Sequence, residues 1–310
     1  MPIVFSEVSH AYPTDPSYLA LDRIQFQIQE GQFVGIIGPT GSGKSTLLQH
    51  FNAILRPTSG RVQILDFQIT PGEKIHDVKK LRQRIGLVFQ FPEQQLFAET
   101  VEQDLCFGPL NFGATTDEAK ALAVSALELV GLGTDLLDRS PFQLSGGQMR
   151  KVAIASVLAM NPDVLVLDEP TATLDPKSRA DFLELLHKLC KQQNKTVIVV
   201  THRLDEVLPY TDHLLVMHEG RIGFEGSNME LFQQAEMLKK CKMAIPKPFQ
   251  ILRTCELITH QAVALSTPNE RATFSIEWVA HQIDRMMTAW YTSVEGEVSH
   301  AAKVHLRQSD

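Results

Sequence analysis

The stretch that most limits what this chain can become is FVGIIGPTGSGKSTLLQHFNAIL, residues 33–55. A short apolar run reads as a buried strand, and a periodic segment after residue 44 reads as a helix. Between them, GPTGSGKST (Gly38, Pro39, Thr40, Gly41, Ser42, Gly43, Lys44, Ser45, Thr46) fits G-x-x-x-x-G-K-[ST] in full. Glycines in such a turn let successive backbone N–H groups converge on phosphate oxygens, and the helix N-terminus adds partial positive charge. Lys44 is placed to reach β- and γ-phosphates, and Ser45 to bind Mg²⁺. The competing reading is a chance glycine-rich turn. The strand before it and the helix after it weigh against that.

A second feature pairs with the first. VLVLDEP (Val164 to Pro170) is a buried strand with two acids at its C-terminal end, where open α/β sheets place their ligands. Asp168 is expected to hold Mg²⁺ through water, and Glu169 to polarise an attacking water. Alone, the pair could be an acidic strand-end turn.

The pattern along the chain predicts an α/β class. The first thirty residues alternate as half-buried antiparallel strands, and GRVQILDFQI reads as one further strand. KIHDVKKLRQRIGLVFQ reads as a basic helix and a buried strand. Residues from about 98 to 160 are helical by period. In that stretch Thr115 and Glu118 fit a capping box, Gly131 a helix stop, and Pro162 ends QMRKVAIASVLAMNP. VLVLD, PKSRADFLELLHKLC, TVIVV, LDEVLPY and HLLVMHEG then alternate strand and helix, which argues for a mostly parallel sheet with an inserted helical subdomain. Residues 227–310 read as a helical extension after a cassette of residues 1–226. In it Ile276, Val279, Ile283, Met286 and Trp290 share a helix face, and the tail past Ser293 is expected to fray.

Composition excludes several classes. With 29 Lys and Arg against 36 Asp and Glu, the net charge is −7, so no broad nucleic-acid footprint is expected. The 4 cysteines show no metal-binding or disulfide spacing and read as reduced thiols. MPIVFSEVSH has no secretory character, and no apolar run is long enough to cross a membrane.

LSGGQ, Leu144 to Gln148, opens a helix with a serine and two glycines. It is either an ordinary helix cap or a second anion site, surplus to the chain's own nucleotide and therefore suited to a partner's. Phosphate loop, LSGGQ, VLVLDEP, TLDP and VVTH occur in an order and at spacings that resemble ABC-transporter ATPases over about residues 3 to 226. That resemblance implies a head-to-tail pair of cassettes sandwiching two ATP. Ser145, Gly146, Gly147 and Gln148 of one would face the γ-phosphate held by the other. It also implies that Asp175 lies on the loop coupling the two sites, that His202 contacts the γ-phosphate, and that Tyr12 stacks on adenine. Gln90, in the glutamine loop, would sit near Mg²⁺ and water. Asp175 before Pro176 is equally a helix N-cap, and Tyr12 an ordinary core tyrosine. Thr173 replaces the glycine or serine commoner in such cassettes.

FQFPEQQLFAETVEQDLCFGPLNFG and LSGGQMRKVAIASVLAM are similar to ATPase subunits of energy-coupling factor transporters, importers of vitamins and of cobalt or nickel. GQMR followed by LDEPTATLDP is nearer the second of their paired ATPases. The resemblance implies a peripheral place on the cytoplasmic face of the cell membrane and a second homologous ATPase, forming a heterodimer. It implies a transmembrane coupling subunit met near Phe91 to Phe97 and a substrate-capturing membrane subunit. Residues 227–310 would stabilise the ATPase pair. Phe89 and Leu96 are candidates for internal packing. Three alternatives remain: another type of ABC transporter, a soluble ABC ATPase acting on ribosomes or DNA, and a regulatory ATP-binding module.

Overall fold

The computed structural model describes residues 2–172, 174–263 and 274–307, with side chains described as far as residue 292. Along the chain come β1 (Ile3–Ala11), β2 (Leu19–Ile28), β3 (Phe33–Ile37), α1 (Lys44–Phe51), β4 (Ser59–Ile64), β5 (Phe67–Ile69), α2 (Val78–Arg84) and β6 (Ile85–Val88). Then follow α3 (Val101–Asn111), α4 (Thr116–Leu129), α5 (Gly146–Leu158), β7 (Val164–Asp168), α6 (Pro176–Gln193), β8 (Thr196–Thr201), α7 (Leu204–Val207), β9 (His213–His218) and β10 (Arg221–Gly226). The last helices are α8 (Asn228–Gln233), α9 (Glu236–Lys240), α10 (Lys247–Thr259) and α11 (Ile276–Arg307).

Two sheets result. One is antiparallel, in the order β2-β1-β4-β5. The other, β10-β9-β3-β8-β7-β6, is parallel except for the antiparallel edge strand β10. Residues expected as one strand, GRVQILDFQI, are instead β4 and β5, because Leu65 adopts a left-handed φ of 55° and turns the chain back.

The period-2 alternation of a strand sorts the core into faces. On β7 and β8, Val164, Val166, Ile198 and Val200 pack toward the antiparallel sheet and α1, while Leu165, Leu167, Val197 and Val199 pack toward α3 to α6. These strands are buried on both faces, which is why they read as continuous apolar runs. The helical insertion is held by its caps as expected: Thr115 and Glu118 cap α4 reciprocally, and Gly131 turns left-handed at φ 71° beyond its end. Thr100 and Gln103 do the same for α3.

Packing crosses the expected boundary at residue 226. Leu214, Val216 and Phe224 of the cassette share a core with Leu231, Phe232, Phe249, Leu252, Phe274 and Trp278. The apolar face expected on the last helix is rotated at its start. Val279 and Met286 are buried as expected, but Ile276 is 85% exposed and Trp278 and Gln282 are buried instead, because Trp278 packs against the buried Phe274 ring. The backbone of α11 also continues helically through residues expected to fray.

α1 carries a buried titratable group. His50 is fully buried, donates through Nδ1 to the Thr46 carbonyl at 2.8 Å, and meets the His10 ring edge-on at 5.0 Å. Burial holds its pKa down to about 4 against an ordinary 6.5, opposed by the Thr46 carbonyl and helped by nearby His10. Between those values the unfolded chain binds a proton that the folded chain does not, so stability falls as pH falls through that window. The gap corresponds to about 3 kcal/mol. Denaturant unfolding followed from pH 7 to pH 4 should show this slope, and His50→Leu should flatten it. An unchanged slope in the variant would place its origin elsewhere.

Candidate nucleotide site

The turn after β3 is shaped by its neighbours as much as by its own chain. Gly43 adopts φ 97°, and a Cβ there would lie 2.6 Å from the Ala20 carbonyl oxygen. At Gly38 a Cβ would lie 2.4 Å from the Met217 carbonyl oxygen. Neither position admits a side chain, so the loop hugs β2 and β9. The Lys44 ammonium donates to the Gly38 and Pro39 carbonyls at 2.7 and 2.9 Å, closing the loop on its own cation. Burial lowers the Lys44 pKa, against the charges of Glu169 and Asp168.

β7 delivers both acids beside this loop. Ser45 Oγ lies 3.3 Å from Asp168 Oδ2. Burial pushes the Asp168 carboxyl up and the charge of Glu169 adds to this, while the Ser45 hydroxyl and Lys44 act against it. Glu169 leaves the strand in a left-handed conformation, φ 44°, and its N–H donates to the Val200 carbonyl at 2.8 Å. Its side chain turns to the end of β8. There Thr201 Oγ1 donates to one oxygen at 2.8 Å, and the His202 N–H and Nδ1 donate to the other at 2.9 and 2.6 Å. A carboxylate only accepts, so Nδ1 carries the proton and Nε2 is left for another partner.

Tyr12, Thr40, Gly41, Gly43, Lys44, Ser45, Thr46, Gln90, Asp168, Glu169 and His202 line a single cleft of about 480 Å³, joined by Tyr18 and Ala20. Tyr12 is hydrogen-bonded to Thr46 Oγ1 at 3.0 Å and stands edge-on to His10, so its ring is half-exposed rather than a core tyrosine. Gly38 and Pro39 line the opposite flank of the loop, and the Ser42 side chain is buried beneath it. Ser45, Asp168 and Gln90 supply only hard oxygen donors, the chemistry Mg²⁺ takes with phosphate and water completing its shell. Among the described residues no group of three His, Cys, Asp or Glu could hold a metal alone.

Ser145, Gly147, Gln148 and Asp175 are not in this cleft. They line a separate groove of about 570 Å³ between α4, α5 and α6. Ser145 caps α5, and Gln148 returns the bond. Asp175 caps α6 by accepting from the Lys177 and Ser178 amides, both at 3.1 Å. A Cβ on Gly146 or Gly147 would meet nothing within 4 Å among the described residues, so none of them requires glycine there. Thr173 lies outside the described residues.

Three further residues belong to this region and were not singled out from sequence. Thr201 holds Glu169. Glu206 accepts from Thr171, Arg179 and Arg203, tying α6 and α7 to the turn after β7. Arg150, quoted only as part of GQMR, is buried and donates to the carbonyls of Glu169 and Pro170. A run of polar residues gave no sign of which were buried. Two expectations near the Phe91–Phe97 segment need correction. Pro92, expected on its outward edge, is buried at the start of a single 3-10 turn, Pro92–Gln95, and Phe89, expected to pack inside, is exposed. Leu96 is buried as expected.

The fold and this cleft define a phosphate-loop nucleotide-binding cassette. A family model described as ABC transporter matches residues 21–172. The energy-coupling factor transporter ATP-binding protein EcfA2 of Bacillus cereus is 46% identical over 93% of this chain and 97% of its own length. That of Enterococcus faecalis is 51% identical over 79% of this chain and 86% of its own. Among solved structures, cbiO1 from Clostridium perfringens, part of the ABC transporter complex cbiONQ, aligns with a TM-score of 0.67 at 38% identity, covering 81% of this chain and 98% of its own. The cassette MJ0796, in a dimeric post-hydrolysis state with ADP and Pi, aligns at 0.66 and 31% identity, covering 73% and 98%. The chain therefore belongs to the ABC-transporter ATPases, within the family of energy-coupling factor transporter ATP-binding proteins.

Lys44 provides the direct check on the phosphate loop. Lys44→Ala should weaken ATP binding about 10- to 100-fold, the range expected on losing a charge-assisted contact. Fluorescent-nucleotide titration of the purified chain reads this, and an unchanged affinity would remove Lys44 from the phosphate site.

Proposed function

We propose that this chain is the ATP-hydrolysing subunit of an energy-coupling factor importer, driving uptake of vitamins or transition-metal ions. The observation that carries this reading is the separation of two half-sites on one chain. The cleft at Lys44 has phosphate-binding and acidic groups but no LSGGQ, and the groove at Ser145 has LSGGQ but no phosphate loop. Two cassettes arranged head to tail complete both. The open surroundings of Gly146 and Gly147 support the same arrangement, since room there serves something outside the chain.

Within such a pair the chain's residues divide the work. Tyr12 stacks on adenine, and the Gly38–Thr46 loop and Lys44 hold the phosphates. Ser45 and Asp168, with Gln90 beside them, would hold Mg²⁺, which when bound neutralises charge on the β- and γ-phosphate oxygens. Glu169, fixed by Thr201 and His202, accepts a hydrogen bond from the attacking water and polarises it toward the γ-phosphate. His202 keeps Nε2 for the γ-phosphate. Ser145, Gly146, Gly147 and Gln148 close on the partner's nucleotide, and Asp175 lies between the two sites. ATP favours the closed pair and hydrolysis releases it, which converts chemistry into motion of the helical subdomain.

The membrane coupling surface is proposed around Phe91 to Phe97. Phe97 and Phe107 are 60% and 51% exposed and meet edge-on at 4.8 Å, with Phe91 and Leu110 also exposed. Asp104 accepts from the Phe97 and Ala98 amides and fixes this exit, so the apolar edge is built rather than loose. No described helix is long and apolar enough to cross a membrane; on this reading the subunit is peripheral, on the cytoplasmic face of the cell membrane. A transmembrane coupling subunit would sit on this edge, with a substrate-capturing membrane subunit in the same complex. Residues 227–310 would stabilise the pair of unlike ATPases. Ile251, Leu257 and Ile258 of α10 remain exposed for that contact.

Two variants of the complex purified with its native membrane subunits test this reading. Glu169→Gln should retain ATP binding while turnover falls at least about 100-fold. Phe97→Glu should leave ATP binding by the chain intact while assembly or transport falls. Wild-type turnover in the first, or full transport in the second, would contradict the assignment it tests.

A further inference from the structure

Arg150 is the largest fully buried side chain among the described residues, at 2% exposure, and no phosphate-binding element explains it. It projects from α5, one turn after Ser145, into the turn that follows β7. Its Nε and Nη2 donate to the Pro170 carbonyl at 3.2 and 2.8 Å, and Nη2 also donates to the Glu169 carbonyl at 3.1 Å. A guanidinium that gathers two adjacent carbonyls defines the direction of the peptide between them. That peptide belongs to Glu169, whose left-handed φ of 44° costs a non-glycine residue about 1 kcal/mol unless its surroundings hold it.

The opposite edge of the guanidinium faces the glutamine-loop segment. Nη1 lies 3.7 Å from Glu93 Oε2. Glu93 is on the Pro92–Gln95 turn, between Gln90 and the exposed Phe97, and that buried oxygen has no hydrogen-bond partner. The pair is thus an ion pair just beyond hydrogen-bond length, on a segment whose far end is the apolar edge at Phe97. A small approach of this turn to α5 completes the bond.

We propose that Arg150 is a positioning residue for Glu169, and that Glu93 links it to the Phe91–Phe97 segment. The placement of the carboxylate then responds to what is docked there. α5 begins at LSGGQ, so one buried cation joins the helix of one half-site, the acid of the other and the segment between nucleotide and docking edge. This rests on the reading of Glu169 as the residue that polarises water.

The test measures steady-state ATP hydrolysis by the assembled complex, with nucleotide affinity and melting temperature in parallel. Arg150→Lys keeps the charge but cannot span two carbonyls and Glu93 at once. It should lower kcat about 10-fold or more with KM for ATP within about twofold of wild type. Glu93→Gln should lower kcat about 3- to 10-fold with KM and melting temperature unchanged. The double variant should be no slower than Arg150→Lys, since both act through one contact. Either single variant with kcat within about twofold of wild type, or deficits that multiply in the double variant, would overturn the proposal. So would losses that follow a matching fall in affinity or melting temperature, as a merely structural arginine predicts. If Arg150→Lys does not fold, Glu93→Gln alone decides by the same criteria. Glu169→Gln is the control: hydrolysis at the wild-type rate in that variant would fault the reading of Glu169 itself, whatever Arg150 does.

Discussion

Glu169 is gripped at both ends. Its carboxylate takes hydrogen bonds from Thr201 and from the main chain and ring of His202, and its peptide is held by Arg150 on one side and the Val200 carbonyl on the other. Four elements therefore have to be in register for one side chain to stand beside Lys44: β7, β8, α5 and the turn after β7. The parallel pairing Asp168↔Val200 sets that register, because it brings the ends of the two strands level at the mouth of the cleft. A one-residue slip would invert which side chains face the cleft and which face the core.

The same geometry explains why the phosphate loop and LSGGQ lie in separate grooves. Parallel strands present their C-terminal ends to one edge, so the phosphate loop after β3, the acids after β7 and the histidine after β8 converge without further design. The helical insertion leaves this sheet after β6 and returns at β7, carrying LSGGQ to a different groove. The distance between the phosphate loop and LSGGQ is thus a consequence of where the insertion enters, and in the proposed function a second cassette reunites them. The Pro92–Gln95 turn lies at the departure point, which places Glu93 between Gln90 and the exposed apolar edge at Phe97.

Much of this was legible in residue patterns. Strands buried on both faces announced the parallel sheet, the caps at Thr115 and Asp175 are local, and the phosphate loop depends on spacing that survives any tertiary context. What was not legible depends on contacts between distant segments. Leu65 is an ordinary aliphatic in sequence, and only its left-handed turn divides β4 from β5. Trp278 displaces Ile276 from the buried face because Phe274, held against Phe249 by tertiary packing, offers its ring a contact at 5.0 Å. Pro92 reads as an exposed breaker but is buried. Arg150 looked like one more polar residue on an exposed helix, and its burial follows from carbonyls 19 and 20 residues away.

The claim that two cassettes share each nucleotide is tested most directly at Gly147, where a methyl group would touch nothing in the isolated chain. Gly147→Ala can be compared with wild type in two measurements: melting of the isolated chain with its ATP affinity, and ATP turnover of the assembled complex. A site completed by a partner predicts melting and affinity unchanged and turnover lower by about 10-fold or more. Wild-type turnover in the complex, or an equal loss of ATP affinity in the isolated chain, would contradict it.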